Sequence, residues 1–183
     1  MKKDTKQLLA NALIKVAEKK SIDKITIKEI VSECGLSSQT FYNNFQDKYD
    51  LLIWVHGSKR MGMMQKLEEG KYSFRDLTIE NLTFYMDHAD FMANALTNTH
   101  GADSYYRKSG DGAFYLMKEY LKKKKGGKDL TLEEEIHLRM YVYSCIDIYA
   151  YWASCNGDIP IEKMADLVVD ALPETIRGYF AEG

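Results

Sequence analysis

Apolar residues recur along most of the chain at intervals of three and four, the spacing of helices that bury one face. Within residues 6–20, for example, Leu9, Leu13, Val16 and Ala17 form one stripe. Alternating strand patterns are scarce, and proline occurs only twice in the chain. The pattern therefore predicts an all-α fold of about nine helices.

Two short helices are predicted after the first one. Thr26 and Glu29 form the pattern T-x-x-E, in which each side chain bonds the other residue's backbone at a helix start. Gly35 is predicted to end this helix, because the left-handed conformation costs a glycine little. Ser37 is predicted to cap the next helix. The apolar positions of the helix between Thr26 and Gly35 are Ile27, Ile30, Val31 and Cys34.

The helix that follows Ser37 has one apolar edge and one polar edge. Phe41 and Phe45 share a face and are expected to pack inward, with Leu36 closing the turn, and Asp47 is expected to cap a longer fourth helix. Two short helices joined by a glycine turn and backed by a first helix form a helix-turn-helix. Its polar edge suits the major groove of DNA. An ordinary solvated helix face is the alternative that these residues leave open.

Composition and charge add to this picture. The 183 residues are 45% hydrophobic, and no run of about 18 apolar residues occurs, so we expect a packed core and no membrane span. The net charge of −2 hides an asymmetry: residues 1–60 carry 11 Lys and Arg against 7 Asp and Glu, a net of +4, and the remainder carries −6. A basic start on an acidic body is typical of contact with a polyanion. Three cysteines without CxxC spacing, and a start without a signal-peptide cleavage site, predict a cytoplasmic protein.

Motifs for catalysis or cofactor binding do not occur in the sequence. It contains no HExxH, GxSxG, P-loop or GxGxxG pattern, and its four histidines are scattered. We therefore expect no enzyme activity, no cofactor and no metal. His88, His100 and Asp103 could meet across a turn as metal ligands, but their spacing matches no standard site. The stronger rival to DNA binding is a helical protein-interaction module that binds no DNA.

The segment "ITIKEIVSECGLSSQTFYNNFQDKYDLL" resembles the N-terminal DNA-binding domain of the tetracycline-repressor (TetR) family. The features that carry the resemblance are the capped helix at Thr26, Gly35, the "TFYNNF" core, and Lys48 followed by two leucines. The resemblance covers residues 6–55, and the rest of the chain matches only in pattern. It implies a three-helix DNA-binding domain over residues 1–55, followed by a larger helical ligand-binding and dimerisation domain over residues 56–183.

The resemblance also implies roles for individual residues on double-stranded DNA. Two residues would approach DNA from the start of the second helix, and three in the recognition helix would face bases. Thr40, Tyr42, Asn44 and Lys48 would mainly hold phosphates. An amide such as that of Gln39 offers a donor and an acceptor together to a base edge. The two that approach from the second helix are Thr26 and Lys28, and the three that face bases are Ser38, Gln39 and Asn43. The full predicted set is Thr26, Lys28, Ser37, Ser38, Gln39, Thr40, Tyr42, Asn43, Asn44 and Lys48.

Further helices are predicted over about residues 78–88, 89–98, 104–124 and 132–156, the last opened by a second T-x-x-E pattern at Thr131. The stretch "KKKKGGKD" between the last two is predicted to be a solvated loop.

The last long helix is apolar on nearly all sides. From Met140 to Trp152, only Ser144 and Asp147 interrupt an aromatic-rich run, and such a helix must be covered all round. The final helix likewise has a second apolar face. We therefore predict a homodimer through the last two helices, with two-fold symmetry and a palindromic DNA operator. The resemblance implies the same dimer.

Aromatic residues are concentrated in the predicted second domain. They are candidates for an apolar cavity with a few polar groups, which would bind a small-molecule effector, although core packing is the alternative for each of them. Asp147 forms a polar strip with Ser144, Tyr151 and Ser154 that faces either the ligand or the dimer axis. An effector would act by shifting the dimer between conformations, with repression as the default and activation open. The predicted ligand-binding residues are Tyr85, His88, Phe91, Met92, Tyr106, Phe114, Met117, Tyr143, Asp147, Tyr151 and Trp152.

Overall fold

The computed structural model describes residues 4–101 and 104–180, and within them it contains ten α-helices and no strand. The predicted all-α fold is confirmed. A short 3-10 helix, Ile22–Lys24, lies between the first two α-helices. No helix of the described residues is long and apolar enough to cross a lipid bilayer. The α-helices are α1 Thr5–Ala17, α2 Ile27–Cys34, α3 Ser38–Tyr42, α4 Lys48–Glu68, α5 Phe74–Asp87, α6 Ala89–Thr97, α7 Tyr105–Lys124, α8 Leu132–Ser154, α9 Ile161–Asp170 and α10 Glu174–Arg177.

The chain divides into two compact units. The first unit comprises residues up to Ser58 together with Asp90–Ser109, and the second comprises Lys59–Ala89 and the residues from Gly110 onward. The predicted domain boundary between residues 55 and 56 falls within α4, and the division of functions between the two parts of the chain stays a prediction.

The core of the first unit forms where the apolar stripes of α1, α2 and α3 meet. Leu9 and Leu13 of α1 are fully buried, as are Ile30 of α2 and Phe41 of α3. α1 packs on α2, and α2 packs on α3, which is the arrangement predicted for a helix-turn-helix. The first helix thus acts as the support on which the two short helices are held.

Asn94 of α6 joins the end of α1 to the 3-10 helix. Its Nδ2 donates to the carbonyl oxygens of Ala17 and Lys20, each at 2.9 Å, and its Oδ1 accepts from the N–H of Ile22 at 3.0 Å. One side chain therefore satisfies three backbone groups that the helix ends leave open. The hydrophobic pattern carries no signal for this residue, and it was not predicted.

The second unit is built around α5, which packs on α8 and α9. The Arg75 guanidinium of α5 pairs with Asp166 of α9, with Nε and Oδ1 2.7 Å apart. The Tyr141 hydroxyl of α8 donates to the Val168 carbonyl of α9 at 2.8 Å. These contacts fix α8 and α9 relative to each other on the α5 support.

α5 begins at Phe74, four residues before the predicted start at Thr78. Ser73 and Asp76 form a capping box: the Asp76 N–H donates to Ser73 Oγ at 3.1 Å, and the Ser73 N–H donates to Asp76 Oδ2 at 2.9 Å. These polar groups thus stabilise the N-terminal end of α5.

The lysine-rich stretch at the end of α7 is held by acidic side chains of its own unit. Lys122 pairs with Asp129 at 2.6 Å, and Lys125 pairs with Glu134 at 2.5 Å. The two glycines that follow have φ values of 67° and 87°, which favour glycine. Much of this positive charge is therefore paired within the unit, and this part of the chain is not our candidate for DNA contact.

Gly110 of α7 lies against the Tyr143 ring of α8. A Cβ atom on Gly110 would lie 2.5 Å from Cε1 of Tyr143, whereas a Cβ on Gly112 would meet nothing within 4 Å. The Tyr143 hydroxyl donates to Asp111 Oδ1 at 2.8 Å, so the ring is held in place. The close packing of α7 on the Tyr143 ring therefore depends on glycine, which has no side chain, at position 110.

We expect Gly110→Ala to lower the free energy of unfolding by about 1–3 kcal/mol, because the added methyl group displaces the Tyr143 ring. Gly112→Ala in the same helix is the matched control and should raise stability by up to about 1 kcal/mol, because alanine favours helices over glycine. Urea unfolding of both variants measures this. Combining Gly110→Ala with Tyr143→Ala should remove most of the steric loss; equal losses for both glycine variants would show that the contact has no effect.

Candidate nucleic-acid interface

α2 begins at the predicted capping box. The Glu29 N–H donates to Thr26 Oγ1 at 3.3 Å, and the Thr26 N–H donates to Glu29 Oε2 at 2.8 Å. Lys20 Nζ donates to Glu29 Oε1 at 2.7 Å. The bond from Lys20, followed by those from Thr26, lowers the pKa of Glu29 to about 2. The start of α2 is therefore fixed at neutral pH, with Lys28 exposed in its first turn.

The turn between α2 and α3 is the predicted glycine turn. Gly35 has φ 68° and ψ 27°, in the left-handed region. The Leu36 N–H donates to the Val31 carbonyl at 2.9 Å and closes the turn. Ser37 caps α3, because its Oγ accepts from the Thr40 N–H at 3.1 Å. Both predicted caps are confirmed.

Two phenylalanines set the orientation of α3. The Phe41 side chain is 0% exposed, and Phe45 is also buried. Their ring centroids are 6.0 Å apart, and the Phe45 ring meets Trp54 of α4 edge-on at 5.8 Å. With this edge buried, the opposite edge of α3 is exposed. The exposed residues there are Ser37, Ser38, Gln39, Tyr42 and Asn43, whereas Thr40 and Asn44 are half-buried.

Several of the predicted DNA-binding side chains also bond within the helix-turn-helix. Asn44 Nδ2 donates to the Thr40 carbonyl at 2.8 Å, and the hydroxyls of Ser37 and Thr40 are 2.9 Å apart. Gln39 Nε2 donates to Asn43 Oδ1 at 3.0 Å. The first two bonds stabilise the ends of α3, and the third links two exposed amides.

Lys48 supports the backbone ahead of α2. Its Nζ donates to the carbonyl oxygens of Asp23 at 2.6 Å and Ile25 at 2.8 Å, and partial burial lowers its pKa below the ordinary value. Sequence reasoning predicted only a phosphate contact for this residue. A lysine at the first position of a helix is unfavourable to the helix dipole, and this could have indicated that other groups hold it.

The predicted ligand-binding residues are divided between the two units. Phe91, Met92 and Tyr106 belong to the first unit, where Phe91 and Met92 are buried and the Tyr105 hydroxyl contacts Met92 Sδ at 3.9 Å. The eight others belong to the second unit. Neither unit therefore contains all eleven residues.

Within the second unit, the candidates have different surroundings. Tyr85 is buried edge-on against Tyr149, with ring centroids 5.4 Å apart. Phe114 is covered by the Arg139 guanidinium, 4.3 Å from the ring centroid. His88 lies against Phe84, Met117 is half-buried, and Tyr143 bonds Asp111 as described above. Asp147 and Tyr151 are exposed on α8.

Tyr151 and Trp152 line an open cleft of about 490 Å³ between α8 and α9. Trp152 is buried, and its indole Nε1 donates to the Ile159 carbonyl at 2.8 Å. The walls of the cleft are mostly apolar. They consist of Tyr141, Ser144, Cys145, Ile148, Tyr151, Trp152, Cys155, Asp158, Ile159, Met164, Leu167, Val168 and Ala171.

Among the residues that the structure describes, no three His, Cys, Asp or Glu side chains lie close enough together to bind one metal ion. Of the trio considered from the sequence, Asp103 lies outside the described residues.

One curated protein is similar to this chain over most of the length of this chain. It is the HTH-type transcriptional regulator YerO of Bacillus subtilis (strain 168), 23% identical over 96% of this chain and 65% of that protein. The chain thus spans just under two thirds of the length of this curated relative.

Solved structures share the fold. The dihydroxyacetone kinase operon activator DhaS has a TM-score of 0.63 at 16% identity, covering 97% of this chain and 98% of that one. The transcriptional regulator FadR from Bacillus subtilis, in complex with stearoyl-CoA, has a TM-score of 0.64 at 14% identity, covering 93% and 98%. At these identities, the likeness establishes the fold.

The helix-turn-helix itself has the most specific match. Residues 9–55, which include α1, α2 and α3 except for the first turn of α1, match the family described as "Bacterial regulatory proteins, tetR family". The match covers the capped α2, the Gly35 turn and the whole of α3. Residues 9–55 of the chain thus form an N-terminal helix-turn-helix of the TetR type, as found in bacterial regulatory proteins.

Proposed function

We propose that this protein is a ligand-responsive transcriptional repressor that binds a palindromic operator as a homodimer and is released by a small molecule bound in the C-terminal part. The observation that carries the proposal is the exposed polar edge of α3, held outward by the fully buried Phe41. A polar edge of this kind fits the major groove. The rival, an interaction module without DNA binding, does not account for the family match over residues 9–55.

The residues of the interface divide by chemistry. Ser38, Gln39 and Asn43 contact base edges, because they are exposed on α3 and carry donors and acceptors. Thr26 and Lys28 contact the DNA from the start of α2. The remaining members of the predicted set, which mainly hold phosphates, are Ser37, Thr40, Tyr42, Asn44 and Lys48.

A second copy of the chain covers the exposed apolar surface of α8 and α9. Ile148 is 45% exposed, Tyr151 69% and Leu167 44%, and all three border the cleft between the two helices. Apolar side chains clustered in this way are typical of an interface. Asp147 is exposed on the same helix, which supports a position for its polar strip near the dimer axis. Two-fold symmetry then requires a palindromic operator.

The effector acts by binding one conformation of the dimer better than another, and it changes operator affinity by no more than that difference. The FadR structure with stearoyl-CoA supports ligand response in this fold. DhaS, which is an activator, shares the fold. Whether the protein represses or activates transcription is therefore measured separately from its DNA binding.

Lys28 provides the test of DNA contact at α2. We expect Lys28→Ala to weaken binding to every DNA sequence and to reduce the slope of log K against log salt by about 1, because one phosphate contact is lost. Lys128→Ala, which removes an exposed lysine from the turn between α7 and α8, is the matched control and should leave the slope unchanged. Fluorescence anisotropy of labelled duplexes at several salt concentrations measures both. Equal slopes for the wild type and Lys28→Ala would remove this lysine from the interface.

A further inference from the structure

The hydrogen bond between Gln39 and Asn43 links two exposed amides of the recognition helix. Gln39 Nε2 donates to Asn43 Oδ1 at 3.0 Å, one helical turn further along. The Asn43 N–H also donates to the Gln39 carbonyl at 3.0 Å, so backbone and side chains connect the same two residues. Both side chains are exposed, so water competes for the donor and the acceptor that form this bond.

The neighbouring polar side chains of α3 are directed to other partners. Asn44 bonds the Thr40 carbonyl, and Thr40 shares a bond with the Ser37 hydroxyl. Ser37 and Asn44 thereby stabilise the two ends of the helix. Gln39 and Asn43 instead bond side chain to side chain on the exposed edge, where a DNA base would lie.

The chemistry of the Gln39 carboxamide determines what remains available for a base. Its nitrogen has two N–H groups, and the bond to Asn43 uses one of them. One N–H and the Oε1 acceptor remain. A donor next to an acceptor complements the N7 acceptor and N6 donor that adenine presents in the major groove.

Asn43 restricts the motion of this carboxamide. A free glutamine side chain loses rotational freedom when it meets a base, and that loss opposes binding. A glutamine already held by a neighbour loses less, so the same two bonds discriminate more strongly between bases. Asn43 would then contribute to specificity through Gln39, in addition to any base contact of its own.

We propose that Gln39 and Asn43 read one base pair as a unit, in which Asn43 is a positioning residue that holds the Gln39 carboxamide for an adenine. This inference rests on the proposed DNA binding through α3. It adds that the base contacted by Gln39 is an adenine, and that this contact depends on the side chain of Asn43.

The test is a double-mutant cycle on an operator selected from random duplex DNA with wild-type protein. Binding is measured for the wild type, Gln39→Ala, Asn43→Ala and the double variant. The duplexes are the selected operator and versions in which each half-site base pair is replaced in turn, A·T by G·C and G·C by A·T. We expect the wild type to prefer one A·T pair about tenfold or more. Gln39→Ala should abolish this preference, Asn43→Ala should reduce it several-fold, and adding Asn43→Ala to Gln39→Ala should reduce it no further.

Asn43→Asp separates positioning from a merely structural role. The aspartate keeps an oxygen that accepts from Gln39 Nε2, and its negative charge weakens binding to every DNA sequence. We expect it to retain the adenine preference at reduced affinity, whereas Asn43→Ala loses preference with little change in binding to non-specific DNA. Thermal melting of each variant confirms that the fold is kept.

The outcomes distinguish this inference from the function on which it rests. If the wild-type dimer selects no operator, the proposed DNA recognition fails and the paired reading fails with it. If an operator is selected but Asn43→Ala keeps the full adenine preference, or the two substitutions have independent effects on it, only the paired reading is overturned. Preference for a base other than adenine at the position lost with Gln39→Ala also overturns it.

Discussion

Phe41→Ala is expected to lower the free energy of unfolding by about 3–5 kcal/mol and to abolish DNA binding. The Phe41 ring is 0% exposed and contacts Phe45, with ring centroids 6.0 Å apart. α3 has five residues, and an isolated helix of that length is unstable in water even when capped, so α3 depends on its packing to stay in place. The alanine variant removes the more deeply buried of the two phenylalanine anchors and leaves a cavity beneath the recognition helix.

Tyr42→Ala is the matched control for this prediction, because the next residue of the same helix is 56% exposed. It should leave the unfolding transition close to that of the wild type and should weaken binding to all DNA sequences, since Tyr42 is proposed to hold a phosphate. Denaturant unfolding and anisotropy on the same preparations separate the two effects. A Phe41→Ala protein as stable as Tyr42→Ala would show that α3 is not held by this anchor.

Leu167→Lys is expected to convert the dimer to a monomer and to reduce affinity for the palindromic operator about a hundredfold or more. Leu167 is exposed in α9 at the edge of the apolar cleft, where a second copy is proposed to pack. A lysine there would place an unpaired charge in the interface, and that is costly. The two recognition helices would then bind half-sites independently.

The control for the dimer surface is Glu162→Lys. This substitution also introduces a lysine into α9, but about 140° around the helix axis from Leu167. It should remain dimeric. Sedimentation velocity of both variants over a range of concentrations measures the association state, and anisotropy on single and paired half-sites measures the consequence. If Leu167→Lys sediments as the wild-type dimer does, the two-fold interface lies elsewhere on the molecule.

The helix-turn-helix was predictable because its signals are local. Thr26, Gly35 and Ser37 each act on backbone groups within a few residues, so their identities indicate the structure without knowledge of the rest of the chain. The start of α5 lies four residues before the predicted one, at the local capping box of Ser73 and Asp76.

The ligand-binding candidates were less predictable, because residue type does not determine which way a side chain points. Tyr149 and Tyr151 are two residues apart in α8, yet Tyr149 is buried against Tyr85 whereas Tyr151 is exposed beside the cleft. That difference depends on which helices pack on α8. The bonding partners of Lys48 and Asn94 also could not be predicted, since they are backbone groups more than 20 residues away in the sequence.

The central claim is that the polar edge of α3 enters a DNA duplex, and selection from random DNA tests it most directly. Purified protein is incubated with random-sequence duplexes, and the bound fragments are sequenced over successive rounds. We predict an inverted repeat whose half-sites lie about one helical turn apart or somewhat more, and its loss when Gln39 and Asn43 are both replaced by alanine. Folded, dimeric protein that enriches no sequence, or that enriches the same repeat without these two side chains, would contradict the account.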